Sequence, residues 1–282
     1  MKISSRPVLT LQDISCFGQC SLTVALPILS ACGLETVILP SAVLSTHTGG
    51  FSGWTFRDLT DDIPRIVGHW KKEGIRFRAF YTGYLGSARQ IDMALGIASE
   101  MLEDGAPLVV DPAMADNGVL YGGFDAAFVR EMARLAGKAD YLLPNVTEAC
   151  LLTGTDYRAP GEYDRAWIDS LLAKLAALGA KKTVLKGVCL EEGFIRVLVR
   201  DAADGGTGTY RHERLPANSH GTGDVFASAF SGALLRGRTP LESVKIAADY
   251  VVACIRATMG DDGHAYGVKF EECLPQLVFA VR

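Results

Sequence analysis

Apolar positions along this chain fall into two rhythms: short, unalternating aliphatic or β-branched runs, and longer stretches with helical spacing. Val8-Leu9-Thr10-Leu11 reads as a first strand. A helix follows from about Ser21 to Cys32, kinked at Pro27 and ended by Gly33. Thr36-Val37-Ile38-Leu39 reads as a second strand, closed by Pro40. A helix with Pro64 in its first turn runs to about Lys72, and a strand runs from Phe77 to Tyr81. Another helix spans about Ala88 to Leu102, and Leu108-Val109-Val110 is the next strand. Tyr141-Leu142-Leu143 and Thr183-Val184-Leu185 are further short apolar strands with helical patterns between them. Continuous apolar strands separated by helices predict an α/β fold with a mostly parallel central sheet covered on both faces.

Two later runs, Phe194 to Arg200 and Thr209 to Arg214, alternate more and flank Asp204-Gly205-Gly206, which predicts an edge hairpin. The remainder is mainly helical, from Asp224 to Arg236 and from Leu241 to about Met259. With no repeat, long linker or low-complexity tract, a single domain over 1–282 is expected. A chain of 282 residues is long enough to bury about 75% of its unfolded surface. Its formal net charge of −4 leaves no footprint for nucleic acid or an anionic membrane. Pro27, Glu35 and Pro40 interrupt the apolar region from Ser21 to Leu44, so a helix followed by a strand accounts for it better than a membrane span. The seven cysteines form no C-x-x-C pair and no secretion signal is read, so reduced, mostly buried thiols in a cytoplasmic protein are expected. The five histidines lack zinc-ligand spacing.

The densest candidate chemistry is His220-Gly221-Thr222-Gly223-Asp224, which leads into the apolar helical run from Val225 to Phe230. Unbonded N–H groups at a helix start, with the dipole behind them, suit an anion such as phosphate. Asp224 is out of place as a phosphate ligand and reads better as a base aimed at a substrate hydroxyl. A Gly-rich turn with an acidic first-turn residue is the plain alternative. Asp13, Tyr84, Asp111, Asn145 and Lys186 all follow expected strands, where ligands gather in parallel sheets. Each also has an ordinary reading: Asn145-Val146-Thr147-Glu148 as a helix cap, Asp111-Pro112 as a strand end, Lys186 as a solvated strand end, Tyr84 as a core aromatic. Gly232 to Thr239 nearly matches a Walker A loop, but Arg238 stands where lysine is required and the run ends a helix. No G-x-G-x-x-G follows the first strand, which weakens a dinucleotide reading.

Five blocks in order resemble the ribokinase superfamily, and within it the vitamin B6 kinases that phosphorylate pyridoxal, pyridoxine or pyridoxamine. They are Ser45-Thr46-His47-Thr48-Gly49-Gly50, Thr82-Gly83-Tyr84-Leu85-Gly86-Ser87, Asp111-Pro112-Ala113-Met114-Ala115-Asp116, Pro144-Asn145-Val146-Thr147-Glu148, and Gly221-Thr222-Gly223-Asp224. The resemblance implies a ribokinase-like fold and ATP as phosphoryl donor. It implies that Asp224 takes the proton of the substrate's hydroxymethyl group while the backbone of Gly221, Thr222 and Gly223 stabilises the transferring group. It assigns Asp111, Asp116 and Glu148 to Mg²⁺ and its waters, Asn145 and Lys186 to the phosphates, and Thr48 and Tyr84 to the pyridine ring. It also implies a monovalent cation such as K⁺ and a homodimer.

Two departures bear on substrate. Asp13 follows Gln12 where B6 kinases usually place a serine, and Gly18-Gln19-Cys20-Ser21 replaces the usual Gly-rich turn. A carboxylate facing the pyridine ring favours the cationic amine of pyridoxamine; otherwise Asp13 is a capping or turn residue. The rival readings are a hydroxymethylpyrimidine kinase of thiamine synthesis, a sugar kinase, and a non-catalytic B6-binding protein. Asp13-Ile14-Ser15-Cys16 does not reproduce the Gly-rich opening usual in the hydroxymethylpyrimidine branch, and binding alone needs no base at Asp224.

Overall fold

The computed structural model describes residues 6–216 and 220–282. Along the chain the elements run β1 Val8–Phe17, α1 Leu22–Ala31, β2 Thr36–Thr46, β3 Phe56–Asp58, α2 Ile63–Lys72, β4 Ala79–Thr82 and α3 Ala88–Met101. There follow β5 Leu108–Val110, β6 Ala115–Asp116, β7 Val119–Leu120, α4 Ala126–Ala136, β8 Tyr141–Leu142, α5 Val146–Thr153, α6 Arg165–Ala177 and β9 Lys182–Glu191. Last come β10 Phe194–Asp201, β11 Thr207–Glu213, α7 Thr222–Leu235, α8 Pro240–Thr258 and α9 Phe270–Val281. The chain divides into two compact units, one built from Met1–Ala106 with Leu215–Arg282 and the other from Pro107–Arg214.

In the first unit β1 pairs in parallel with β2 on one side and β4 on the other, and β3 adds an antiparallel edge to β2. Val8, Leu9 and Leu11 are wholly buried, as expected of a central strand without alternation. Pro40 does not close the second strand. It lies opposite Gln12, and the register then slips by one residue, so that Ile14 faces Val43. This bulge accommodates the missing N–H and lets β2 run on to Thr46. β1 is extended to match, which puts Asp13 inside the strand rather than after it. Helix α7 is mostly small and apolar because it is covered all round: every residue from Val225 to Ala233 is buried, Ser228 and Ser231 included, and it packs on both α1 and α8.

In the second unit β5, β8 and β9 pair in parallel, and β9, β10 and β11 continue as an antiparallel meander. The expected hairpin is present as β10 and β11. Because β10 partners β9 as far as Glu191, β9 continues past its parallel neighbour and Lys186 lies within it. The near-Walker run covers the end of α7 and the cap of α8, where Thr239 bonds the N–H of Glu242, so it is no phosphate loop. No helix among the described residues is long and apolar enough to cross a membrane.

Candidate active site

In the first unit, the start of α7 meets the end of β1 and the turn after it. Gly221 caps α7 with φ 76, and a Cβ there would sit 1.9 Å from the carbonyl oxygen of Gln19, so only glycine allows this approach. Thr222, Gly223 and Asp224 form the first turn, whose N–H groups have no intrahelical acceptor. A side chain at Gly223 would meet nothing within 4 Å, so this end of the helix is open to a ligand. The backbone N–H of Ser21 donates to Oδ2 of Asp224 at 3.0 Å.

Asp13 is buried to 5% exposure, although it is a carboxylate. Its Oδ2 accepts from Ser15 Oγ at 3.0 Å, two residues along the same face of β1, and Ser21 also hydrogen-bonds to it. Burial raises its pKa, and these hydroxyls and His47 oppose the rise. The Tyr84 hydroxyl is pushed up to about 12 by burial and by the charges of Asp13 and Asp58. Cys20 is held protonated by burial and by Asp224 and Asp13. His47 Nε2 lies 2.9 Å from the carbonyl oxygen of Tyr266, which makes Nε2 the protonated nitrogen and leaves Nδ1 buried without a partner. Its ring packs so closely on Gly18 that a Cβ there would lie 2.1 Å from Cδ2. Asp13, Tyr84 and Asp224 are thus gathered around one buried polar cluster, whereas Thr48 is exposed on the turn after β2.

In the second unit, Lys186 Nζ bridges both oxygens of Asp111 at 3.0 Å, and both side chains are largely buried. Asn145 and Glu148 cap α5 reciprocally: Glu148 N donates to Asn145 Oδ1 and Asn145 N donates to Glu148 Oε2, each at 2.8 Å. The helix-cap reading of these residues is therefore correct as structure. Yet the cap is buried, and Glu148 also accepts the N–H of Met114 at 3.3 Å. Burial pushes Glu148 up to about 8, against the pull of Lys186. Burial raises Asp111 too, with Lys186 again opposing. Two buried carboxyls thus share one ammonium. Asp116 stands apart in character: exposed on β6, its carboxylate accepts the N–H of Asn117 at 2.9 Å. Among the described residues no three carboxyl, thiol or imidazole groups stand close enough to hold a bare metal ion.

The sequence profile of the phosphomethylpyrimidine kinase family matches residues 69–268, more than two thirds of the chain. The chain belongs to this family. A Bacteroides thetaiotaomicron protein described as a phosphomethylpyrimidine kinase, solved with pyridoxal, is 34% identical, with a TM-score of 0.91 over 96% of this chain and 95% of that one. The pyridoxal kinase of Lactobacillus plantarum is 31% identical, with a TM-score of 0.89 over 98% of each chain. The pyridoxine/pyridoxal/pyridoxamine kinase of Bordetella avium is 28% identical over 90% of this chain and 88% of its own. The resemblance to kinases of the ribokinase-like superfamily and the α/β fold expected from it are borne out, and the chain is a kinase of this family.

Sequence reasoning missed three members of the first unit's cluster. Ser15 could have been found, since it lies two residues from Asp13 on a strand and so shares its face. His47 lay inside a quoted block without a role of its own. Ser21 carries no sequence signal, because its part depends on a backbone angle.

Proposed function

We propose that this kinase transfers the γ-phosphoryl group of ATP to the hydroxymethyl group of a vitamin B6 compound. The observation that carries the reading is the capped, open start of α7 with Asp224 held beside the buried Asp13. Asp224 takes the proton from the hydroxymethyl oxygen as that oxygen bonds to the γ-phosphorus; the bond from the γ-phosphorus to the bridging oxygen breaks and ADP leaves. The N–H groups of Thr222 and Gly223, with the dipole of α7, stabilise charge on the transferring group. Tyr84 supplies an apolar face to the pyridine ring, and Thr48 a hydroxyl to its edge. A base at this place is superfluous for a protein that only binds B6.

Mg²⁺ suits the second unit on the chemistry of its donors. Asp111 and Glu148 set two buried carboxyl groups near the ammonium of Lys186, and hard carboxylate oxygens favour this ion, through water where direct ligands are few. Asp111 and Glu148 would hold the hydrated ion, with Asp116 reaching its waters and Asn145 beside the phosphates. When bound, Mg²⁺ neutralises charge on the transferring phosphates. Lys186 contributes a fixed positive charge in the same region.

Within the B6 compounds, the buried carboxylate of Asp13 supports a preference for the cationic amine of pyridoxamine. A homodimer belongs to the same reading, with exposed Trp54 and Phe56 at the edge strand β3 as its support, and sedimentation would test it. Hydroxymethylpyrimidine is the second acceptor to consider, because the family is that of the phosphomethylpyrimidine kinases. Turnover of pyridoxal, pyridoxine, pyridoxamine and hydroxymethylpyrimidine with ATP tests the proposal. The highest kcat/KM is expected for a B6 compound. A higher value for hydroxymethylpyrimidine overturns it.

A further inference from the structure

Ser21 is held in a conformation that residues with a side chain seldom take, φ 54 and ψ −126. The surroundings fix it there. Its side chain is buried, it bridges Ile14 of β1, and its carbonyl oxygen accepts the N–H groups of Val24 and Ala25 in the first turn of α1. Just before it, Thr23 Oγ1 bonds the Cys20 carbonyl at 2.8 Å, and Gly221 presses on the carbonyl of Gln19. Glycine would take these angles without strain. Serine instead makes two contacts in opposite directions: its N–H donates to Asp224 Oδ2 at 3.0 Å, and its side chain hydrogen-bonds Asp13.

We infer that Ser21 is a positioning residue that ties the base to the substrate-binding carboxylate: its backbone N–H orients Asp224 for proton removal, and its hydroxyl orients Asp13. The inference deepens the kinase reading and rests on Asp224 acting as base. A hydrogen bond donated to a carboxylate favours the ionised form, the form a base needs. The strained backbone angle directs the N–H toward α7, and the side chain is left to face β1. The other titratable groups here are Cys20, which stays protonated, Asp13, Tyr84 near Asp13, His47 facing Asp13, His220 with its ring 5.2 Å from that of His47, and Glu271 of α9 through its 2.7 Å bond from Gln19 Nε2.

The two contacts separate by substitution. Ser21→Gly keeps the backbone angle and deletes the hydroxyl, whereas Ser21→Val opposes a positive φ and displaces the N–H. In Ser21→Val, the acidic limb of the kcat/KM profile is expected to move upward by about one pH unit, a tenfold loss at low pH. Turnover should fall at least tenfold further than in Ser21→Gly. Ser21→Gly should instead change the pyridoxamine-to-pyridoxal ratio of kcat/KM. The limb shift should persist in an Asp13→Asn background if it belongs to Asp224. Thermal melting and pyridoxal binding check the fold, and Ser21→Thr, equally β-branched but with its hydroxyl kept, replaces the valine variant should that one not fold. An acidic limb that stays put in every folded variant, or equal turnover losses in the glycine and valine variants, overturns the inference. Asp224→Asn run alongside separates the two levels: if it retains turnover the kinase mechanism fails, and if it alone is inactive only the role of Ser21 fails.

Discussion

Two carboxylates in the first unit differ in their surroundings. Asp224 sits at the open start of a helix and receives a backbone hydrogen bond, which orients it. Asp224→Asn keeps the shape and removes the basicity, so normal vitamer binding with turnover reduced roughly 10²–10⁴-fold is expected. Turnover within a few-fold of the parent enzyme would take Asp224 out of the mechanism. Asp13 is buried among hydroxyls, and a charge-assisted hydrogen bond to the amine of pyridoxamine is worth about 1.5–3 kcal/mol, a ten- to hundredfold preference. Asp13→Ser should lower the pyridoxamine-to-pyridoxal ratio of kcat/KM by that order. The pH dependence has a definite sign. Burial raises the pKa of Asp13, and only its ionised form attracts the amine, so the proposed preference for pyridoxamine should fade as pH drops through that raised value. In Asp13→Ser the ratio should lose that pH dependence. A ratio within about twofold of the parent's, below roughly 0.5 kcal/mol, makes Asp13 a structural residue.

The start of α5 shows one element serving as a structural cap and as a charged site. Asn145 and Glu148 complete the cap, and a glutamine at 148 can complete it too. Glu148→Gln therefore removes the charge and keeps the cap, at the loss of the longer bond from the N–H of Met114. It should raise the Mg²⁺ concentration needed for half-maximal rate, whereas an unchanged Mg²⁺ dependence would leave the cap as its sole role. The linkage is also calculable in sign. The folded pKa, about 8, is raised above the ordinary 4.5, so the stability Glu148 contributes is full below about pH 4.5 and lost as pH rises through 8. Urea melts of the metal-free parent should weaken across that window, and those of Glu148→Gln should weaken less. At this scale most of the fold was legible: strands β1, β4, β5 and β9 announce themselves as apolar runs, and α7 as an apolar stretch behind glycines. What stayed hidden depended on partners distant in sequence. β2 passes through Pro40 because it bulges against β1 just beyond it, β9 extends because β10 returns along it, and α9 contains Pro275. The candidate site was legible where residue types are specific to chemistry, as at Asp224, Asp111 and Glu148. It was hidden at Ser21, where an ordinary residue matters through φ.

At the scale of the whole chain, the first unit is discontinuous in sequence, and its site exists only because both segments are present. Residues 6–106 supply Asp13, Ser21 and Tyr84; residues 220–282 supply Gly221, Asp224 and the helices that cover α1. On α1, Leu22, Val24, Ile28 and Leu29 are all buried, and the helix packs on α7 and α9 as well as on β1 and β2. Each such side chain contributes about 1.5–3 kcal/mol on full burial. Re-exposing half of that area would cost about 3–6 kcal/mol, comparable with the roughly 5–15 kcal/mol stability of a whole domain. A fragment ending at Arg214 is therefore expected to lose hydrogen-exchange protection throughout β1 and α1, although these residues are all still present. Because the second unit lies wholly within that fragment, its amides in β9 and β10 serve as the internal reference. Supplying residues 215–282 as a separate polypeptide should restore protection to β1 and, with it, kinase turnover. Amides of β1 that exchange as slowly in the fragment as in the full chain would show that the first segment folds without α7, and that the C-terminal segment brings only the base.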